Sequence, residues 1–152
     1  MLEIGKPAPD FTRPSTGGDI TLSKLRGQTV VLYFYPKDNT PGCTNEAIDF
    51  RDHYPEFKTA GTVVLGASRD SLKSHLRFKE KLALPFDLIS DEDESLCNLY
   101  EVIKLKNMYG KQVRGIERST FLIDKEGILR NEWRKVKVPG HVTAVLEALE
   151  TL

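Results

Sequence analysis

Cysteine is scarce here, with 2 in 152 residues. That excludes a disulfide-stapled scaffold, and a chain of this length buries a full core without one. Net charge is absent, because 22 Lys and Arg balance 22 Asp and Glu. The bulk electrostatic case for nucleic acid or membrane as partner falls with it. Apolar runs reach only a few residues, against the ~20 of a membrane span. The opening MLEIGKPAPDF lacks the basic and apolar regions of a signal peptide. No repeat, low-complexity tract or linker interrupts the chain. The expectation is one domain, residues 1–152, in the reducing cytoplasm, where a cysteine is catalytic, metal-binding or buried rather than bridged. His53, His75 and His141 lack metal-ligand spacing, so neither metal nor other cofactor is expected.

What is present has a clear grammar. Residues 5–18 are rich in Pro and Gly and read as an irregular lead-in. Thr29–Tyr35 and Thr62–Ala67 are short, continuous apolar runs suited to central parallel strands. Between them Cys43, Ala47, Phe50, Tyr54 and Phe57 share one helical face. Pro55 predicts a kink or restart, and Gly61 closes the segment. A second helix is expected over Ser71–Leu82, then a short strand near Phe86–Ile89. A third helix should start near Asp91, with the acids of DEDE at its positive end and Leu96, Cys97, Tyr100 and Ile103 on its apolar face. Ser119–Ile123 and Ile128–Trp133, joined by Asp124–Gly127, read as an antiparallel hairpin. A last helix carries Val142, Val145, Leu146 and Leu149 on one face. Lys104, Lys106, Lys111 and Arg114 read as a solvated loop in preference to an anion site. A βαβ unit, a hairpin and a final helix are the order of a single-domain thioredoxin-like α/β fold, a mixed central sheet flanked by helices.

The informative stretch is YPKDNTPGCT, residues 35–44, where a buried strand gives way to a helix. Thr40-Pro41 is a helix start: Thr to cap the first turn, Pro at its first position. Cys43 then lies in that turn, and Gly, Pro and Thr around it suit an exposed one. The thiolate is the nucleophilic form of cysteine, and a helix N-terminus favours it. Thiolate population alone gives a modest gain, so the rest must come from groups that meet charge as it develops. The Thr40 hydroxyl and the unpaired N–H groups of Gly42 and Cys43 are at hand, and Pro36 offers a donor-free wall.

Pro36-x-x-x-Thr40-x-x-Cys43, with NTPGCTNEA, SDEDESLC and RSTFLID around and after it, resembles the peroxiredoxin family in its Q-type branch, the bacterioferritin comigratory proteins. The resemblance runs from GKPAPDF to the C-terminal helix. It implies a thiol-dependent peroxidase for hydrogen peroxide and organic hydroperoxides, acting in antioxidant defence as a monomer or weak dimer. It implies Cys43 as peroxidatic nucleophile with Thr40 and Pro36 as motif partners, Arg118 beside the sulfur, and Glu46 orienting that arginine. Relatives place a resolving cysteine where this chain has Ile48, or near Lys79. Only Cys97 remains, at neither place, so an external thiol such as thioredoxin, glutaredoxin or glutathione is the expected reductant.

Plainer readings stand beside these. Cys43 could be a buried structural residue, Thr40 only a cap, Pro36 a turn residue, Arg118 a surface charge and Glu46 a first-turn acid. For Cys97 burial on an apolar face is the better reading, with a resolving thiol as the alternative. A thioredoxin-like disulfide oxidoreductase would need C-x-x-C, but Glu46 follows Cys43 by three residues and Thr40 precedes it by three. A peroxide-sensing switch without turnover would share the sulfenic acid but react once.

Overall fold

The computed structural model describes residues 2–152. The lead-in is less irregular than its composition suggests. It holds a short antiparallel pair, β1 (Thr12–Arg13) with β2 (Ile20–Thr21), then a turn of 3-10 helix at Leu22–Leu25. The apolar run TVVLYF forms β3 (Thr29–Phe34), buried at every position. Next come α1 (Pro41–Asp52) and α2 (Tyr54–Thr59). The break falls at His53 because Pro55, without an N–H, fits only the start of a new helix. Gly61, at φ 66°, turns the chain into β4 (Thr62–Ser68). Ser71 caps α3 (Leu72–Leu82) by accepting from the Ser74 N–H at 3.1 Å.

β5 (Asp87–Ser90) is followed by α4, which spans only Ser95–Leu99. The helix expected from Asp91 thus begins four residues later. The carboxylate of Asp91 reaches forward instead and accepts from the N–H groups of Leu96 (3.0 Å) and Cys97 (2.7 Å). Ile103 lies not on that helix but in β6 (Ile103–Met108), which pairs with β7 (Lys111–Ile116). The basic stretch read as a loop is therefore a hairpin. Its exposed positions dilute the alternation that marks a half-buried strand. β8 (Ser119–Ile123), β9 (Leu129–Trp133) and α5 (His141–Leu149) complete the chain as expected.

The main sheet has the order β5-β4-β3-β8-β9. β3, β4 and β5 run parallel, and β8 and β9 add antiparallel. Alternate residues of β3 divide the interior. Val31 and Tyr33, with Tyr35 beyond the strand, pack with Cys43, Ala47 and Phe50 of α1 and with Val142 and Val145 of α5. Val30, Leu32 and Phe34 pack on the other face with Leu96, Cys97, Tyr100 and Ile116. Phe50 stacks on Tyr33 at 4.5 Å, fixing α1 against the strand that feeds it. Such a pair is worth about 0.5–1.5 kcal/mol beyond its buried area. No helix among the described residues is long and apolar enough to cross a membrane.

Candidate active site

Topology brings the distant residues together. β3 delivers the chain to residues 35–40 and then to the first turn of α1. β8 runs antiparallel to β3 with Ser119 opposite Phe34. Arg118, one residue before β8, therefore enters at the same end of the sheet as Cys43, 75 positions away in sequence. Its Nη2 donates to Cys43 Sγ at 3.3 Å and its Nη1 to Glu46 Oε1 at 2.7 Å. Glu46 sits three residues after Cys43 and so projects from the same side of α1. Gly42 leaves room for the guanidinium: a Cβ there would lie 3.2 Å from Arg118 Nη2.

Cys43 is only 2% exposed, so the first turn is not open at its sulfur as the local composition suggested. A buried sulfur now faces a positive charge. Burial works against charge on Arg118, but Glu46 and Cys43 more than offset it and its pKa moves up. Burial dominates at Glu46 and lifts its carboxyl to about 7 against the pull of Arg118. Glu46 Oε2 is buried and has no hydrogen-bond partner among the described residues.

Thr40 occupies the N-cap position in extended backbone, φ −91° and ψ 151°, but its side chain does not cap the helix. Its hydroxyl donates to the Lys37 carbonyl at 2.8 Å. Two consequences follow. The N–H groups of Gly42 and Cys43 precede the first intrahelical bond, from Thr44 N–H to Thr40 O, and among the described residues no side chain caps them. The Thr40 oxygen, already committed as a donor, offers lone pairs to an incoming O–H. Pro36 and Arg118 together line a groove of about 430 Å³ that opens beside this turn. A smaller hollow of about 210 Å³, at Thr29 and Asp124–Glu126, lies at the opposite end of β3.

One supporting group escaped the sequence reading. Asp38, 4% exposed, anchors the loop between β3 and α1. It accepts from Tyr35 Oη (2.6 Å), Ser74 Oγ (2.8 Å) and His75 Nδ1 (2.8 Å), and its N–H donates to Asp70 (3.0 Å). His75 Nε2 bonds the Ile89 carbonyl at 2.9 Å. Asp38, Asp70 and His75 thus gather ligand-type atoms that no sequence spacing revealed. Each residue is already engaged inside the protein, which marks a structural network. Its only sequence signal was an acid in a strand-to-helix loop.

The chain matches the AhpC/TSA family over residues 4–132. It is 56% identical over 153 residues to peroxiredoxin Bcp of Xanthomonas campestris, covering 99% of this chain and 94% of that one. It is 51% identical over 152 residues to peroxiredoxin Bcp of Bacillus subtilis, at 99% and 97% coverage. A solved structure of the Xanthomonas campestris bacterioferritin comigratory protein, studied for alkyl peroxide reduction, superposes with a TM-score of 0.88 at 54% identity. That superposition covers 93% of this chain and 90% of that one. This chain is an AhpC/TSA-family peroxiredoxin. It has the thioredoxin-like fold of that family and is a thiol-dependent peroxidase.

In this peroxiredoxin both cysteines are free. Cys97 is fully buried on the face of the sheet opposite Cys43. Burial and the neighbouring Asp91 push its thiol far above the usual range. Ile48 packs partly buried against the core on the Cys43 side, and Lys79 pairs with Asp87 at 2.7 Å. Neither position offers a thiol.

Proposed function

We propose that this peroxidase runs a one-cysteine cycle at Cys43, with an external thiol as reductant and residues 1–152 acting as one domain. The observation that carries the reading is the Arg118 guanidinium 3.3 Å from a buried sulfur at an uncapped helix start. The Cys43 thiolate attacks the near oxygen of the peroxide. An S–O bond forms and the O–O bond breaks. Sulfur is oxidised to sulfenic acid, and the departing alkoxide or hydroxide takes a proton and leaves as alcohol or water. Arg118 and the open N–H groups of Gly42 and Cys43 meet negative charge as it moves from sulfur to the leaving oxygen. Thr40 holds the peroxide by accepting its O–H, Pro36 limits water at the wall, and Glu46 positions the guanidinium. Hydrogen peroxide and organic hydroperoxides share the O–O bond this arrangement addresses, which suits antioxidant work in the cytoplasm.

The sheet between the two cysteines supports an external reductant. A disulfide needs its Cα atoms within roughly 7 Å, and Cys97 would have to leave the core to reach Cys43. The test is peroxide turnover by Cys97→Ser with thioredoxin, glutaredoxin or glutathione. The reading expects many equivalents consumed at close to the wild-type rate. A reaction that stops after one equivalent, in wild type as well, would favour a switch over an enzyme.

A further inference from the structure

The groove beside Cys43 has a chemical bias that the protein as a whole lacks. It is lined by Pro36, Leu105, Val136 and the cations Lys104, Lys106, Lys135 and Arg118, with Glu117 as its only acid. The full chain is balanced at 22 charges of each sign. Arg118 is engaged by Glu46. Among the described residues, none of the three lysines forms an ion pair. Burial and the charge of Arg118 hold the Lys106 ammonium below its ordinary pKa, and its Nζ donates to the Ile116 carbonyl. Lys135, which lines the groove, takes up a left-handed backbone at φ 50°, a conformation disfavoured for lysine. Among the described residues, no acidic side chain pairs with Lys104 or Lys135.

We propose that the groove is a carboxylate-binding subsite for the reducing thiol, so that small thiols bearing carboxylates are the preferred reductants of oxidised Cys43. The proposal rests on the one-cysteine reading above. Lys104 and Lys135 hold the carboxylates while Pro36, Leu105 and Val136 cover the carbon skeleton. A concave space of about 430 Å³ suits a small molecule better than a protein face. A cleft with an excess of one charge sign raises the local concentration of the opposite ion by about tenfold or more. The bound thiolate attacks Cys43 sulfenic acid, an S–S bond forms, the S–O bond breaks, and hydroxide leaves to become water. A second thiol of the same class attacks the outer sulfur, releasing the Cys43 thiolate and the oxidised donor disulfide.

The test separates the two half-reactions. Protein is oxidised with one equivalent of hydrogen peroxide, and mass analysis verifies one added oxygen on Cys43. A Cys43 that gains no oxygen overturns the peroxidase assignment of this residue before any thiol is added. Oxidised protein is then mixed with mercaptopropionate, mercaptoethanol or cysteamine, and rates are compared at equal thiolate concentration. The anionic thiol should react about tenfold faster than the neutral one, and the cationic thiol slowest. The anionic-to-neutral ratio should fall towards one in Lys104→Gln/Lys135→Gln and on raising salt in wild type, and persist in Lys58→Gln, an exposed control on α2. A ratio near one in wild type, or one that survives salt and the double substitution, overturns the proposal. So does a carboxylate preference confined to the oxidation step, measured with carboxylate-bearing against neutral hydroperoxides, or rapid reduction by an acidic dithiol protein alone.

Discussion

The two faces of the central sheet each bury a cysteine, and the two sites are built for opposite ends. Cys43 and Cys97 are 2% and 0% exposed, so burial does not separate them. Their neighbours do. Cys43 lies in the first turn of a long helix whose N–H groups are uncapped, with a guanidinium 3.3 Å from its sulfur. Cys97 lies in a five-residue helix whose N-terminal donors are taken by Asp91, the carboxylate that helps push its thiol up. The first environment sets a guanidinium and open N–H donors against the sulfur, and the second sets a carboxylate beside it. The two sites differ in the sign of the charge set against the sulfur and in whether the helix start is left open.

The sharpest way to break this comparison is to delete the sulfur on the Cys43 face. Cys43→Ser should fold with a melting temperature close to wild type and consume no peroxide above background. The hydroxyl fits the same space but offers no accessible anion near neutral pH. Turnover by a clean preparation would mean that the Cys43 sulfur is not the nucleophile.

Next in size is the charge that separates the two faces. Arg118→Met keeps much of the stem but removes the guanidinium, and the rate of Cys43 oxidation should drop about a hundredfold. Thr40→Val should slow the same step by about tenfold, since the proposed acceptor of the peroxide proton is lost. Because the hydroxyl bonds the Lys37 carbonyl and caps nothing, the stability loss should be that of one exposed hydrogen bond, within about 1 kcal/mol. Rapid-mixing oxidation kinetics and urea midpoints separate these effects. Wild-type oxidation rates in both variants would remove the pocket from the account.

Much of this arrangement was legible in the sequence, and the failures have physical causes. The buried strands, the break before Pro55 and the β8–β9 hairpin were readable because their patterns are local. Arg118 was not readable from spacing, since its place depends on the antiparallel register of β3 and β8. Family resemblance alone pointed to it. Thr40 was expected to cap α1 because Thr-Pro is a strong helix start, but the turn at Lys37 captured its hydroxyl. The β6–β7 hairpin was missed because its solvent-facing lysines hide the period of a strand. Asp38 and His75 meet across 37 positions, which no local pattern encodes.

A smaller effect sharpens the comparison through pH. Glu46 is lifted from 4.5 to about 7, so between those values the folded chain keeps a proton that the unfolded chain has released. Its contribution therefore makes stability fall as pH rises through that window. His141 is held down from 6.5 to about 4 by burial and by the charge of Arg118. Its contribution makes stability rise with pH over its own window. In wild type the two slopes oppose. Glu46→Gln leaves only the second, so its stability should climb more steeply with pH than wild type's between about pH 4.5 and 6.5. Urea midpoints across that range check it, and parallel curves would contradict it.

The most direct test of the central contrast is mass analysis of both cysteines after one equivalent of peroxide, without reductant. One added oxygen is expected on Cys43, trapped by a sulfenic acid reagent, with a reduced Cys97 that is alkylated only after unfolding. A stoichiometric Cys43–Cys97 disulfide, with turnover lost in Cys97→Ser, would contradict it, because the sheet would then be no barrier between the two faces.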